Sequence, residues 1–103
     1  MKFNPVLFAK AISDETRQKI MKICCCTSLS VNEIVEKLDV SQPTVSHHLA
    51  ILREADLVTV REEGKQTFYS LNQENVAICC GQLMIKFAPE SITTEKLIQT
   101  LKA

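Results

Sequence analysis

The sequence predicts a mostly α-helical protein with a single β-hairpin. Apolar residues recur at helical spacing in the first half of the chain and again after residue 72. Between these regions, two short segments rich in Val, Thr, Phe and Tyr flank a turn that contains glycine, which is the pattern of a hairpin. Glycine and proline are rare, at 2 and 3 of 103 residues, and this composition also favours helices.

Length and composition restrict the class of protein. A chain of 103 residues suits a single domain, predicted over residues 1–103. No apolar run approaches the roughly 18–20 residues needed to cross a membrane, and the N-terminus lacks the apolar segment of a signal peptide. We therefore expect a soluble, cytoplasmic protein with no membrane partner. Its net charge of zero argues mildly against a nucleic-acid partner, because proteins that bind nucleic acids are usually basic.

Helix-start signals predict two short helices joined by a tight turn. Ser30 and Glu33 can form a capping box, in which each side chain satisfies a backbone N–H at the start of a helix. The turn begins at Asp39, whose short side chain tolerates the positive φ that more often requires glycine. Ser41 caps the next helix. Two helices joined in this way are a helix-turn-helix, predicted over about residues 30–55.

A hairpin is predicted to follow the second of these helices. Residues 57–61 and 66–71 have strand-like composition, and residues 62–65 between them form the predicted turn. Gly64 can take the left-handed position of that turn. A hairpin over about residues 57–71, directly after a helix-turn-helix, predicts the wing of a winged helix-turn-helix.

The helix predicted from Gln73 to Phe87 is apolar on nearly every side. Its main stripe is predicted to consist of Val76, Cys80, Leu83 and Phe87. Such a helix must be buried, and a chain of 103 residues has little core in which to bury it. We therefore expect a homodimer through the terminal helices, with residues 73–88 as the dimerisation helix and a last short helix over residues 93–101.

Four ordered segments carry a family resemblance. Residues 11–17 (AISDETR), 29–34 (LSVNEI), 41–49 (SQPTVSHHL) and 52–58 (LREADLV) closely resemble the ArsR/SmtB family of dimeric bacterial repressors, within a similarity over about residues 8–72. The resemblance implies a homodimer that represses transcription and releases DNA when an effector binds, often a metal or metalloid ion.

The outer face of the second helix of the helix-turn-helix is the predicted DNA-contacting surface. At about 100° per residue, Val45, Leu49 and Leu52 point inward, so the opposite face can approach base edges in the major groove. We expect a double-stranded palindromic operator with half-sites about one helical turn apart. The predicted contact residues are Ser41, Gln42, Thr44, Ser46 and His47 on this helix, and Arg61, Lys65 and Gln66 in the hairpin.

Simpler interpretations stand beside these DNA contacts. His47 could be an ordinary solvated histidine, although the resemblance favours a contact with DNA. His48 lies at the rim of the inward face, and we expect it to be packed or hydrogen-bonded inside the protein. The hairpin could be an ordinary charged turn, which the neighbouring Glu62 and Glu63 support.

The five cysteines form two clusters, and their odd number without a secretory signal predicts reduced thiols. As packing residues, cysteines behave as small apolar side chains, and this is the favoured interpretation of Cys24. The alternative is a functional site: if the helix unwinds, the thiols of Cys24, Cys25 and Cys26 could converge. They would then form a three-thiolate site for trivalent arsenic or a similar soft ion, or a redox dithiol. Cys79 or Cys80 could add a ligand if the clusters meet.

This sequence lacks the ligand residues of two metal sites that are common in the ArsR/SmtB family. Ser30 and Asn32 occupy the positions of the first site's cysteines, and residues 73–87 contain neither His nor Asp. No cofactor is therefore required, although a thiolate-bound metal or metalloid ion stays open. Also open are a repressor with structural cysteines that senses an organic ligand or no ligand, and a winged helix that binds another protein.

An enzyme is the least favoured class. Both histidines lie on the predicted DNA-contacting helix, far along the chain from either cysteine cluster, so no cysteine has an evident general base. No glycine-rich loop that could hold phosphate is present in the sequence. We therefore predict that the protein is not an enzyme.

Overall fold

The computed structural model describes residues 3–102, with side chains over residues 3–100, so residues 1, 2 and 103 of the predicted domain lie outside it. Six helices and three strands occur in this part of the chain. In order they are α1 (Pro5–Ile12), α2 (Glu15–Ile23), β1 (Leu29–Ser30), α3 (Val31–Leu38), α4 (Gln42–Glu54), β2 (Val58–Glu63), β3 (Gln66–Leu71), α5 (Gln73–Phe87) and α6 (Ile92–Lys102).

The N-terminal segment forms two helices that meet at a sharp break. Asn4 starts α1, which the periodicity did not predict, by accepting hydrogen bonds from two backbone N–H groups. Ser13 ends α1, and Asp14 begins α2 by accepting a hydrogen bond from the backbone N–H of Arg17. The break directs the side chain of Arg17 back towards the C-terminus of α1.

The predicted helix-turn-helix is confirmed as α3 and α4. Both hydrogen bonds of the capping box between Ser30 and Glu33 are present. Asp39 ends α3 in the left-handed region, with φ of 52°, as its position in the turn predicts. Val45, Leu49 and Leu52 of α4 are buried in the core, so the predicted inward face of this helix is correct.

The hairpin is present, but its predicted turn is too long. Strand β2 continues to Glu63, which pairs with Gln66, so the turn consists of Gly64 and Lys65 alone. Gly64 has φ of 63°, the left-handed conformation expected of it. Strand β1, which the sequence did not predict, adds to β3 through the pair Leu29–Tyr69 and gives the antiparallel order β1-β3-β2.

Helix α5 has the predicted bounds, and two of the four residues of its predicted stripe, Val76 and Leu83, pack against the core. Cys79 is buried and Cys80 is exposed, because the helix turns Val76, Cys79 and Leu83 towards the core. Phe87, placed in the stripe by the sequence, is 73% exposed. Large apolar side chains therefore lie on the surface of the terminal helices: Val6 of α1, Ile78, Ile85 and Phe87 of α5, and Ile92 and Leu97 of α6.

Among the described residues, no helix has the length and apolar composition required to cross a membrane.

Candidate nucleic-acid interface and cysteine pair

The outer face of α4 is polar and exposed. Ser41 caps the helix: its Oγ accepts a hydrogen bond from the backbone N–H of Thr44 and lies 2.8 Å from the Thr44 hydroxyl. The hydroxyls of these two predicted contact residues are therefore also used to start the helix. Gln42, Ser46 and His47 project from the exposed side of the same turns. The face combines small side chains with hydrogen-bonding groups, which suits close approach to base edges.

The start of α4 and the tip of the hairpin line one polar cleft of about 250 Å³. Three predicted contact residues, Gln42, Lys65 and Gln66, meet there although they lie on different elements. Asn32 of α3 and Thr67 of β3 also line the cleft, and sequence reasoning missed both. No local signal marks these two residues, because only the packing of α3 against the hairpin brings them to this surface.

Arg61 and Lys65 of the hairpin have different surroundings. The Arg61 guanidinium pairs with Glu63 and lies 5.0 Å from the centre of the Phe68 ring. Lys65 is exposed in the turn. The charge of Lys65 is therefore directly accessible to an anion at the hairpin tip, whereas that of Arg61 is partly offset by Glu63.

A buried arginine connects the inner side of α4 to the N-terminal helices. Arg17 is 8% exposed, and its Nε and Nη2 donate to the carbonyl oxygens of Ala11 and Lys10 at 2.8 and 2.9 Å. Its Nη1 lies 2.9 Å from Nδ1 of His48, on the inner side of α4. These contacts hold α1, α2 and α4 together through one side chain.

The bond to Arg17 specifies the protonation of His48. A guanidinium has no acceptor atom, so Nδ1 of His48 must accept, and the ring carries its proton on Nε2. Burial lowers the pKa of His48 from its ordinary value of 6.5, the charges of Arg17 and His47 lower it further, and the carboxylate of Asp14 opposes them. The preference for a packed, hydrogen-bonded His48 is therefore confirmed.

The structure separates Cys24 from the two cysteines that follow it. Cys24 is fully buried in the core, and burial raises the pKa of its thiol to about 11. Cys25 is half-buried and Cys26 is exposed, with their Sγ atoms 2.8 Å apart. The condition set for convergence of the three thiols is met, since α2 ends at Ile23, but only two of the three thiols come together.

The second cluster lies on regular helix and does not complete a metal site. Burial raises the pKa of the Cys79 thiol, whereas Cys80 is exposed on another side of α5. Within residues 3–100, no three His, Cys, Asp or Glu side chains are grouped closely enough to hold a metal ion. The chemistry available on the surface is therefore that of the Cys25–Cys26 dithiol and of the single thiol of Cys80.

Comparisons with known proteins agree with this geometry. Residues 14–60 match the profile of a family described as bacterial regulatory protein, arsR family. The chain is 40% identical over 63 residues to the transcriptional repressor SdpR of Bacillus subtilis, a match that covers 61% of this chain and 70% of SdpR.

Two further relatives extend the comparison. The arsenical resistance operon repressor of Staphylococcus xylosus is 38% identical over 65 residues, covering 63% of this chain and 62% of that repressor. The structure of reduced HlyU from Vibrio cholerae superimposes with a TM-score of 0.64 at 34% identity, covering 81% of this chain and 86% of HlyU. The similarity to HlyU thus extends beyond the segment matched by the family profile.

The lowered pKa of His48 predicts a pH-dependent stability. The unfolded chain takes up a proton at this residue as the pH falls through 6.5, while the folded chain does not until its lower pKa is reached. The free energy of unfolding should therefore decrease as the pH is lowered through this range. Urea unfolding at a series of pH values measures this, and His48→Gln, which keeps an acceptor for Arg17, should remove most of the decrease.

His47→Gln is the matched control, because His47 is exposed and does not contact Arg17. It should keep most of the pH dependence of the wild type, because burial is the largest cause of the lowered pKa of His48 and the charge of His47 a smaller one. A His48→Gln variant that loses stability with acid as steeply as the wild type would show that His48 is not the group responsible.

Proposed function

The chain belongs to the ArsR family of bacterial regulatory proteins, and from this we propose that it is a homodimeric repressor that binds a palindromic operator and releases it when an effector acts on its cysteine thiols. Proteins of this family are DNA-binding transcriptional regulators and not enzymes. The observation that carries the proposal is the polar outer face of α4, which continues into the cleft shared with the hairpin tip.

We assign base contacts to the exposed side of α4. Ala50 and Ser46 flank His47 with small side chains, so the helix can lie deep in the major groove while the imidazole reaches a base edge. Gln42, at the first turn, has both a donor and an acceptor for a base or a phosphate. Ser41 and Thr44 lie beside the N-terminal N–H groups of α4, which favour an anion such as phosphate.

We assign backbone contacts to the hairpin. Lys65 and Gln66 lie at its tip on the same cleft as Gln42, so one DNA strand can contact both elements. Arg61 is a further phosphate contact if Glu63 gives up its ion pair. With 12 basic and 12 acidic residues in the chain, few counterions are released per subunit, and operator affinity should depend only moderately on salt.

The homodimer is proposed from the apolar surface of the terminal helices. Ile78 and Ile85 of α5 are 40% and 47% exposed, and a largely apolar cleft of about 600 Å³ lies between α1 and α5. Phe87 and Val6 line that cleft. An apolar surface of this kind marks an interaction site, and a second copy of the chain can cover it with the same surface by two-fold symmetry. Residues 73–88 are the proposed dimerisation helix of a single domain.

The proposed effector acts on Cys25 and Cys26, the thiols that form an accessible pair. A soft metal, a metalloid or an oxidant are the chemical classes that such a pair accepts. One relative is named as an arsenical resistance repressor, which supports the metalloid class. An organic ligand is the second candidate, because an apolar cleft of about 200 Å³ between α5 and α6 is lined by Gly81, Met84 and Leu97.

Two substitutions should separate base contacts from backbone contacts. His47→Ala should weaken operator binding by about 1–3 kcal/mol and leave binding to unrelated DNA nearly unchanged, because a base contact provides discrimination. Lys65→Ala should weaken binding to both DNAs and reduce the salt slope by about 1 per subunit. Fluorescence anisotropy with reduced protein over a range of salt concentrations measures these effects.

Lys96→Ala is the matched control for Lys65→Ala, because it removes the same charge from α6, far from the hairpin in the order of elements. It should change neither affinity nor salt slope. The assignment fails if His47→Ala weakens binding to operator and unrelated DNA equally. If the affinity of the wild type for DNA does not change with salt concentration, the alternative of a winged helix that binds another protein is favoured instead.

The dimer can be tested by a charge placed on α5. Ile85→Glu should weaken dimerisation at least roughly a hundredfold, because an unpaired carboxylate would be buried in the interface. Sedimentation equilibrium should give twice the chain mass for the wild type and the single mass for the variant at the same concentration. Thr59→Glu adds the same charge to the exposed edge strand β2 and should remain dimeric. A dimeric Ile85→Glu protein would contradict the proposed interface.

A further inference from the structure

The thiols of the half-buried Cys25 and the exposed Cys26 lie at a junction of the fold. The chain leaves α2 at Ile23, so Cys25 and Cys26 are not held apart at helical spacing, and their sulfur atoms lie 2.8 Å from each other. In a regular helix adjacent side chains diverge by about 100° and their sulfur atoms would not meet. The local geometry therefore already brings both sulfur atoms together at the surface.

The backbone of this pair is bonded to the element that links the hairpin to the dimerisation helix. The Cys24 carbonyl accepts a hydrogen bond from the backbone N–H of Leu71, the last residue of β3, at 2.9 Å. The Cys25 carbonyl accepts from Nε2 of Gln73, the first residue of α5. A change in the backbone at Cys25 therefore alters hydrogen bonds at the junction between the hairpin and α5.

We propose that Cys25 and Cys26 are a redox dithiol, which a peroxide oxidises reversibly to a disulfide between adjacent residues, and that this closure weakens operator binding. The proposal rests on the proposed function for its effect on DNA. It names the class of effector, a two-electron oxidant, and identifies which two of the five thiols respond.

The chemistry requires one peroxide and no other reactant. The exposed Cys26 sulfur, as thiolate, attacks one peroxide oxygen, the O–O bond breaks, and the departing oxygen leaves as water with the thiol's proton. The Cys25 sulfur then displaces the hydroxyl group from the sulfenic acid of Cys26, forming the S–S bond and a second water. The two thiols lose two electrons and two protons, and the peroxide takes up both and is reduced to two water molecules.

Closure acts on the backbone because the disulfide ring contains it. A disulfide between adjacent residues closes a ring of eight atoms that includes the Cys25–Cys26 peptide group, whose carbonyl oxygen binds Gln73. Forming the ring constrains that peptide and reorients this carbonyl. The hydrogen bond from Gln73, at the start of α5, to this carbonyl is then lost. The position of α5 relative to the hairpin is therefore less constrained.

The other three cysteines are poor candidates for this reaction. Cys24 and Cys79 are 0% and 1% exposed, so a peroxide in solvent does not reach either thiol, and burial raises the pKa of both. The pKa of Cys26 is raised too, first by its hydrogen bond with Cys25, but its thiol is exposed to solvent. Cys80 is exposed, but its neighbour Cys79 is buried on regular helix, where adjacent side chains diverge. Only Cys25 and Cys26, among the described residues, have their thiols in direct contact.

The test treats the reduced full-length protein with hydrogen peroxide and follows mass and operator affinity together. After free thiols are blocked, the peptide that carries Cys25 and Cys26 should have lost two hydrogens, and dithiothreitol should restore them. Operator affinity should fall at least about fivefold on oxidation and recover on reduction. Cys26→Ser should bind the operator when reduced but show no response, whereas Cys80→Ser should respond as the wild type does.

Gln73→Ala tests the route of the effect. If the lost bond to the Cys25 carbonyl carries the signal, this variant should bind the operator more weakly when reduced and respond less to peroxide, while forming the same disulfide. A Gln73→Ala protein whose response equals that of the wild type would overturn this route.

Other outcomes would overturn the proposal itself. These are a disulfide that joins other cysteines, further oxidation of Cys26 without a disulfide, or closure of the expected disulfide with unchanged operator affinity. If the reduced wild type binds no operator, the proposed function fails, and the mass measurement still decides separately whether the dithiol closes.

Discussion

One buried guanidinium constrains the arrangement of the N-terminal helices α1 and α2 and of α4. Arg17 donates to two carbonyl groups at the end of α1 and to the ring of His48 in α4. The last carbonyls of a helix have no partner within it, and Arg17 donates to the one of Ala11. It also donates to the Lys10 carbonyl, which accepts from the backbone N–H and hydroxyl of Ser13 as well. Because the same side chain reaches His48, the inner side of α4 is fixed against α1 and α2, and the polar outer side is left facing solvent.

Strand β3 connects this arrangement to the remaining parts of the molecule. It pairs with β1 before the helix-turn-helix and with β2 in the hairpin, and its last residue, Leu71, bonds to the Cys24 carbonyl. The next residue, Asn72, caps α5 and donates its backbone N–H to the Leu57 carbonyl. The stretch from β3 to the start of α5 therefore connects the hairpin, the backbone beside the cysteine pair and the first residues of the apolar α5.

Features set by local chemistry could be predicted from the sequence. The capping box at Ser30, the left-handed turn at Asp39 and the inward residues of α4 each depend on a few neighbouring side chains. The family resemblance added what these signals could not supply, namely the expectation that the outer face of α4 contacts DNA. It also indicated a regulator in spite of zero net charge.

Features set by long-range packing could not be predicted. Strand β2 extends through Glu63 because pairing with β3 and the ion pair with Arg61 outweigh the low strand propensity of glutamate. A helix that is apolar on all sides has no unique stripe, so the choice of Cys79 over Cys80 is made by the core it packs on. Whether three adjacent thiols converge depends likewise on how the chain leaves α2, which periodicity does not encode.

The central claim is that two copies of the α4 face, related by two-fold symmetry, contact one operator. Hydroxyl-radical footprinting of the reduced protein on the DNA upstream of its own gene tests this claim most directly. The account predicts two protected segments of equal extent, related by two-fold symmetry, with centres about one helical turn apart. Protection of a single half-site, or no protected segment on that DNA, would contradict it.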